Sequence, residues 1–374
     1  MSSRAHTTRE ARHPSFGAGR RLTYLCLQPM RDGQASATHV AGIVEGLRRI
    51  GWTVSLVTTP RLAGRGIPGR ALASGLATIR CMRYLPTSDV VYVRWHPGAL
   101  PSVLVAKALR RRVVVEVNGT DEDWVAAWPA IQPLSRLLAW SGVAQLRLAD
   151  GVIAVTRGLA NWVTSVSSNR ATTVIANGVD VDRFTGVADP SERPYVAFVG
   201  ALAPWQGVET MLEAVDHRAW SPGVDLVIAG EGPMRQACER ATRRSHVRYL
   251  GRIPSVEVPS LMERSLATLC VQTPTSGRGT VGCSPIKLFE GMAAARPVIV
   301  SDLPGVADPV RAARCGVVIA PGDAEQLARA VSRLTADERL ADEMGRRGRR
   351  AAEREHSWSA RAAATSAFIE GLQT

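Results

Sequence analysis

Short runs of Val, Ile, Leu and Ala recur along this chain with helical patterns between them. No other property of the sequence limits the possible folds so tightly. Residues 21–28 (RLTYLCLQ) read as a buried strand, and a loop over 29–36 contains Gly33. A helical pattern runs from 38 to 50 and ends at Gly51, and a second strand covers 53–58. Strands apolar on both faces and joined through helices belong to parallel sheets covered on both sides. The rhythm continues with strands at 90–93, 113–117 and 152–155 and helices at 124–130 and 134–148.

A short strand at 174–175 runs into an Asn-Gly turn at Asn177 and Gly178, and residues 186–194 (GVADPSERP) have linker chemistry. The alternation then restarts. Strands are expected at 195–199, 224–229, 247–250, 267–271, 297–300 and 316–319. Helices fit at 207–215, 233–241, 256–263, 285–295, 324–334 and from 336 onward. The reading is α/β, two doubly wound Rossmann-like domains facing across a cleft at the carboxyl ends of both sheets. The expected units are a mobile basic tail (1–20), a first domain (21–185), the linker (186–194), a second domain (195–355) and a last helix (356–374).

With 374 residues the chain is long enough for two cores, and 45% apolar with 21% charged residues is a globular balance. No apolar run approaches the ~20 residues that span a bilayer. The first twenty residues carry Arg4, Arg9, Arg12 and Arg20 but no apolar core, unlike a secretory signal. Six scattered cysteines without a C-x-x-C pair fit reduced thiols, hence a cytoplasmic protein without a zinc site. The net charge of +13 comes without stacking aromatics or a recognition helix, which argues against nucleic acid. Arg61, Arg65, Arg70, Arg80 and Arg83 among apolar residues, and Lys107 with Arg110, Arg111 and Arg112, fit an anionic membrane surface. They fit solvated faces equally well.

Chemistry concentrates at CSPIKLFEGMAAA (283–295). Ser284 is suited to N-cap a helix and Pro285 to its first position. Leu288, Phe289 and Met292 supply an apolar side, while Lys287 and Glu290 share a face one turn apart. A helix N-terminus joined by a lysine suits a phosphate, and Glu290 could accept from ribose hydroxyls. An amphipathic helix with an exposed ion pair accounts for the same residues. Loops after successive strands add to the picture: Gly200 to Gly207, Gly230-Glu231-Gly232-Pro233, Gly251-Arg252-Ile253-Pro254 and Ser301 to Gly305. Each alone is an ordinary βα connection, whereas four in register indicate a nucleotide site.

The runs FVGALAPWQGVETMLEA, LVIAGEGPMR, VRYLGRIP, SPIKLFEGMAAARPVIVSDLPG and VIANGVDVDRF resemble the family 4 retaining glycosyltransferases of the GT-B fold. The likeness extends from about residue 21 and is densest over 174–323. It implies a nucleotide-sugar donor held by the second domain, a hydroxyl acceptor held by the first, and no metal or other cofactor. It also implies a last helix crossing back onto the first domain. Glu290 matches the second glutamate of the family's E-x7-E motif, which binds ribose. Ser284 and Lys287 match a Ser-Pro-x-Lys variant near the diphosphate and take the catalytic roles. Gly200 and Gln206 lie in the first donor loop, Glu231 in the next, and Arg252 and Ile253 where the base is met. Leu303, Pro304 and Gly305 fall near the diphosphate and sugar, and Gly33 faces the donor across the cleft. Asn118, His39, Arg94 and His96 are the acceptor-side candidates, each with a structural reading beside it: a satisfied histidine, or for Arg94 a sheet-end ion pair.

Three positions depart from the family. The first glutamate falls at Gly282, and the usual Arg and Lys fall at Ala201 and Gln206, which leaves Lys287 the main cation there. A subgroup pairs Gln-Gly with Ser-Pro-x-Lys, so the changes are coordinated. Asp121-Glu122-Asp123 mimics a metal motif of another glycosyltransferase fold, but reads as an acceptor-side loop or a capped helix start. The expected activity is transfer from a nucleotide-sugar, UDP before GDP, to a lipid-linked envelope precursor or a natural-product acceptor, at or near the inner membrane face. A sugar-nucleotide epimerase and an inactive binding homologue are the alternatives.

Overall fold

The computed structural model describes residues 19–28, 30, 34–60, 66–185, 193–274 and 278–372. The first unit runs β1 (Arg21–Cys26), α1 (Ala35–Arg49), β2 (Thr53–Thr58), α2 (Gly66–Met82), β3 (Val90–Arg94), α3 (Leu100–Ala108) and β4 (Arg112–Val117). It continues with α4 (Asp121–Ala127), α5 (Ser135–Leu148), β5 (Gly151–Ala154), α6 (Arg157–Ser167) and β6 (Thr172–Val174). All the strand pairs are parallel, in the order β2-β1-β3-β4-β5-β6. Every residue of β3 is buried, as a strand covered on both faces must be.

The second unit holds β7 (Tyr195–Val199), α7 (Val208–Asp216), β8 (Asp225–Ala229), α8 (Arg235–Ala241), β9 (Val247–Tyr249), α9 (Val258–Glu263) and β10 (Ala267–Cys270). After it come α10 (Arg278–Val281), α11 (Ile286–Ala293), β11 (Val298–Ser301), α12 (Ala307–Ala313), β12 (Gly316–Ile319), α13 (Ala324–Ala336) and α14 (Glu338–Ala351). Its order is β12-β11-β10-β7-β8-β9, so the chain reverses direction between β7 and β10, as it does between β1 and β3 in the first sheet. Ligands in doubly wound folds bind beyond the strand ends at such reversals.

Side-chain caps place several helix starts. Thr156 accepts from Leu159 N at 3.1 Å to open α6, and Asp323 accepts from Gln326 N at 2.8 Å to open α13. The Asp121-Glu122-Asp123 run opens α4, with the Asp123 carboxylate accepting from Thr120 N at 3.0 Å. Helices α2, α3, α6, α10 and α12 have no counterpart in the sequence reading.

After α14 a wide π turn (Ala352–His356) carries the chain back to the first unit, where α15 (Trp358–Gly371) packs on α1. The return is pinned at the hinge: Val179 N donates to His356 O at 2.8 Å and Trp358 N to Val179 O at 3.1 Å. A side chain at Gly42 or Gly46 of α1 would run into Trp358. Of the expected tail, residues 1–18 lie outside the described residues, while Arg20 O already accepts from Thr53 N at 2.9 Å. Gly33 and residues 186–192 of the expected linker also lie outside them. Among the described residues no helix is long and apolar enough to cross a membrane.

Candidate functional site

Helix α11 is fixed from behind. Leu288, Phe289 and Met292 are wholly buried against β11 and Val179, so the opposite face, with Lys287 and Glu290 half-buried, turns towards the cleft. The expected cap is corrected here. The helix begins at Ile286, with Pro285 in extended conformation and no side-chain cap. Ser284 instead accepts from Asn177 N at 2.9 Å, and its carbonyl accepts from the Asn177 side chain. A partner from across the hinge has taken the hydroxyl that the helix's own amides would otherwise use.

Lys287 does not form the surface ion pair with Glu290 that its spacing allows. Its Nζ donates to Gln206 Oε1 at 2.9 Å and lies 3.9 Å from the centre of the Phe198 ring. Gly200, in the loop after β7, lies beneath it with φ +150°, and a Cβ there would come 2.5 Å from Nζ. Burial pushes the Lys287 amine down to about 8, partly opposed by Cys270 and Glu290. Burial also raises the Glu290 carboxyl, with Arg183 and Lys287 pulling the other way. Gln206 is held in turn by Gln272 Nε2 at 3.4 Å, and Gln272 Oε1 accepts from Cys283 Sγ at 2.8 Å.

The glutamate absent at position 282 has a steric explanation. Gly282 has φ +74°, and a Cβ there would lie 2.1 Å from Pro304 O. This loop is zipped to the next one, with Cys283 N donating to Pro304 O at 3.2 Å, so Leu303, Pro304 and Gly305 do stand at the helix head. Gly305 N donates to Asp308 Oδ2 at 3.1 Å. Glu231 is exposed and paired with Arg235 at 3.3 Å, while its carbonyl accepts from Leu202 N at 2.9 Å. Arg252 is exposed and Ile253 half-buried in the loop after β9.

In the first unit, three of the four acceptor-side candidates converge on one carboxylate that the sequence reading missed. Glu116, at 2% exposure, accepts from Arg94 NH1 at 2.7 Å, Tyr92 OH at 2.8 Å, His39 Nε2 at 2.8 Å and Asn118 Nδ2 at 2.5 Å. Burial alone would raise this carboxyl, but His39, Arg94 and Asn118 outweigh it and hold the group well below the usual carboxylate range. His39 and Arg94 are 5% and 6% exposed, so Arg94 forms the sheet-end ion pair and neither presents a free edge to an acceptor. His96 stands apart. Its Nδ1 accepts from Gly98 N at 3.1 Å, and burial pushes it down to about 4, which leaves it neutral. A cavity of about 520 Å³ opens beside α4 and α5, lined by Glu122, Trp124, Ile131, Gln132 and Ser135 among others.

The two units meet directly beside the loops at the head of α11. Thr156 Oγ1, at the start of α6, donates to the carbonyl of Val281, the last residue of α10, at 2.6 Å.

Comparison with known proteins agrees with this layout. A profile described as "Glycosyltransferase Family 4" matches residues 36–183, and one described as "Glycosyl transferases group 1" matches residues 183–351. A GDP-mannose-dependent alpha-(1-6)-phosphatidylinositol monomannoside mannosyltransferase of Mycobacterium tuberculosis is 26% identical, covering 78% of this chain and 79% of that one. Among solved structures, sucrose-phosphate synthase from Thermosynechococcus elongatus superposes with a TM-score of 0.74 at 18% identity, over 94% of this chain and 99% of that one. Anabaena HepE in complex with UDP gives 0.69 at 16% identity, over 94% and 100%.

Proposed function

Because the chain belongs to the family 4 glycosyltransferases of the GT-B fold, we propose that it transfers a sugar from a nucleoside diphosphate donor to a lipid-borne hydroxyl, with retention and without a metal. The observation that carries the donor side is the helix-head lysine. Lys287 is held by Gln206 above Gly200, with Glu290 one turn deeper, which matches a diphosphate followed by a ribose. UDP-sugar is the donor of first choice, supported by the UDP in HepE. GDP-mannose is the second reading, favoured by the name of the mycobacterial relative.

In this mechanism the bond from the anomeric carbon to the donor phosphate breaks while the acceptor oxygen bonds to that carbon on the same face. The acceptor proton passes to the departing phosphate oxygen. Negative charge grows on the diphosphate, where the Lys287 ammonium and the amides opening α11 lie ready to stabilise it. Glu290 accepts from the ribose hydroxyls and so fixes the donor along the helix.

The lipid acceptor is supported by one face of the first unit. Helices α2, α3 and α5 lie side by side and contain five basic residues and no acidic one. Leu72, Leu76, Ile79, Leu104, Leu137 and Trp140 are exposed on them. Apolar side chains among cations suit an anionic bilayer.

The test is a transfer assay with UDP-glucose, UDP-N-acetylglucosamine and GDP-mannose, with and without EDTA, on phosphatidylinositol-containing vesicles. Transfer that survives EDTA and gives a product of the donor's anomeric configuration supports the reading. Conversion of donor without acceptor would identify an epimerase, and nucleotide binding without turnover an inactive homologue.

A further inference from the structure

His39 faces an acceptor with each ring nitrogen. On one side is Glu116, whose oxygens also receive Arg94, Tyr92 and Asn118 and which can only accept. On the other, Asn177 Oδ1 lies 2.7 Å from His39 Nδ1. The orientation of that amide is set by its far end: Asn177 Nδ2 faces the carbonyl of Ser284, which also can only accept. The amide oxygen must therefore turn to His39. A neutral imidazole has one donor and cannot serve both partners, whereas the imidazolium has two.

We propose that His39, as an imidazolium, is a positioning residue that holds the head of the donor helix in register with the first unit. The link runs from Glu116 on β4 through His39 on α1 and Asn177 at the hinge to Ser284, three residues before Lys287. Every member is polar, and His39, Glu116 and Ser284 are each 6% exposed or less. The groups around the ring are Glu116 from β4, with Arg94 and Tyr92 of β3 and Tyr24 of β1 meeting the same carboxylate. Trp358 from α15 closes the other side, its ring perpendicular to the imidazole with 5.4 Å between ring centres. Losing the second ring proton places two lone pairs against each other at 2.7 Å, so Asn177 swings away and the turn before α11 loses its tether.

This inference rests on the donor site proposed above, and its test separates the two. Nitrogen-15 spectra of the histidine-labelled full chain near neutral pH should place both His39 ring nitrogens in the protonated range. A lone-pair nitrogen there overturns the proposal whatever the chain binds. Calorimetric titration with UDP and GDP then compares wild type, His39→Gln, Asn177→Ala and the double variant. Each single change should weaken binding about tenfold, with the double no weaker than either, because both cut one link. Losses that multiply, or no loss, overturn it. Asn177→Ala removes only a half-buried hinge side chain, so it remains informative if His39→Gln fails to fold. If wild type binds neither nucleotide the donor site itself is refuted, and the spectra still decide the state of His39. A rise in donor KM with kcat preserved distinguishes positioning from general stabilisation.

Discussion

The Lys287 amine donates to the Gln206 side chain at 2.9 Å, so the cation at the head of α11 is aimed by a neutral neighbour. A second cation at position 206 would repel it. Gln206 thus sets where the charge points without adding a charge of its own. Replacing it by Ala should leave Lys287 charged but mobile, weakening UDP or GDP binding by about tenfold. Gln206→Lys should also fail to improve binding, because two buried ammonium groups disfavour each other. Calorimetry on the two variants checks both statements.

The same lysine gives a pH signature. Burial holds its amine at about 8, so it is charged below that value and neutral above. In the free enzyme, kcat/KM for donor should therefore fall as pH rises through about 8. Lys287→Arg, which stays cationic, should lose that limb even though its activity is lower. Lys287→Ala should reduce kcat by about 100-fold or more, the scale of removing one group that stabilises developing charge.

Glu290 titrates in the opposite direction. Its carboxyl is raised by burial, so part of the free protein carries a proton there under acidic conditions. Hydroxyl donors stabilise the ionised form, and nucleotide binding should release that proton. Binding should accordingly weaken as pH falls towards the raised value. The enthalpy in buffers of different ionisation heat should report proton release, and Glu290→Gln should abolish it.

Restoring the family's first glutamate should harm this chain. At Gly282 the backbone is left-handed and a Cβ would overlap Pro304 O. Gly282→Glu should lower stability by about 1–3 kcal/mol and reduce transfer, measured by thermal unfolding and by turnover. A gain in either would contradict the explanation given for the departure.

On the exposed apolar side of α5, the double change Trp140→Glu with Leu137→Glu should release the protein from vesicles containing phosphatidylinositol while leaving nucleotide affinity unchanged. Sedimentation with vesicles at low and high salt reads the first effect. Retention of the double variant on vesicles would direct the search for an acceptor to water-soluble compounds.

The alternating architecture was legible because strands buried on both faces write continuous apolar runs, and all twelve described strands fall close to those runs. Lys287 and Glu290 were legible because helical spacing alone puts them on one face. The cap at Ser284 was not, because its hydroxyl is taken by Asn177, 107 residues away. Nor was Glu116, which in the sequence is a single acid within an apolar strand. Only the register that sets Arg94 opposite it reveals the pair. Helix α2 was obscured by its own Gly and Pro residues, and what stabilises it is the packing of Ala73, Ala77 and Cys81 beneath it.

The return of α15 to the first unit has a mechanical meaning. Among the described residues the chain passes between the two bodies twice, once before Val179, whose side chain already packs in the core of the second, and once through the π turn to Ser357. A body attached at a single point can tumble, but one attached at two swings like a door about the line that joins them. Removing the last helix should therefore leave the second body on a single crossing, free to tumble.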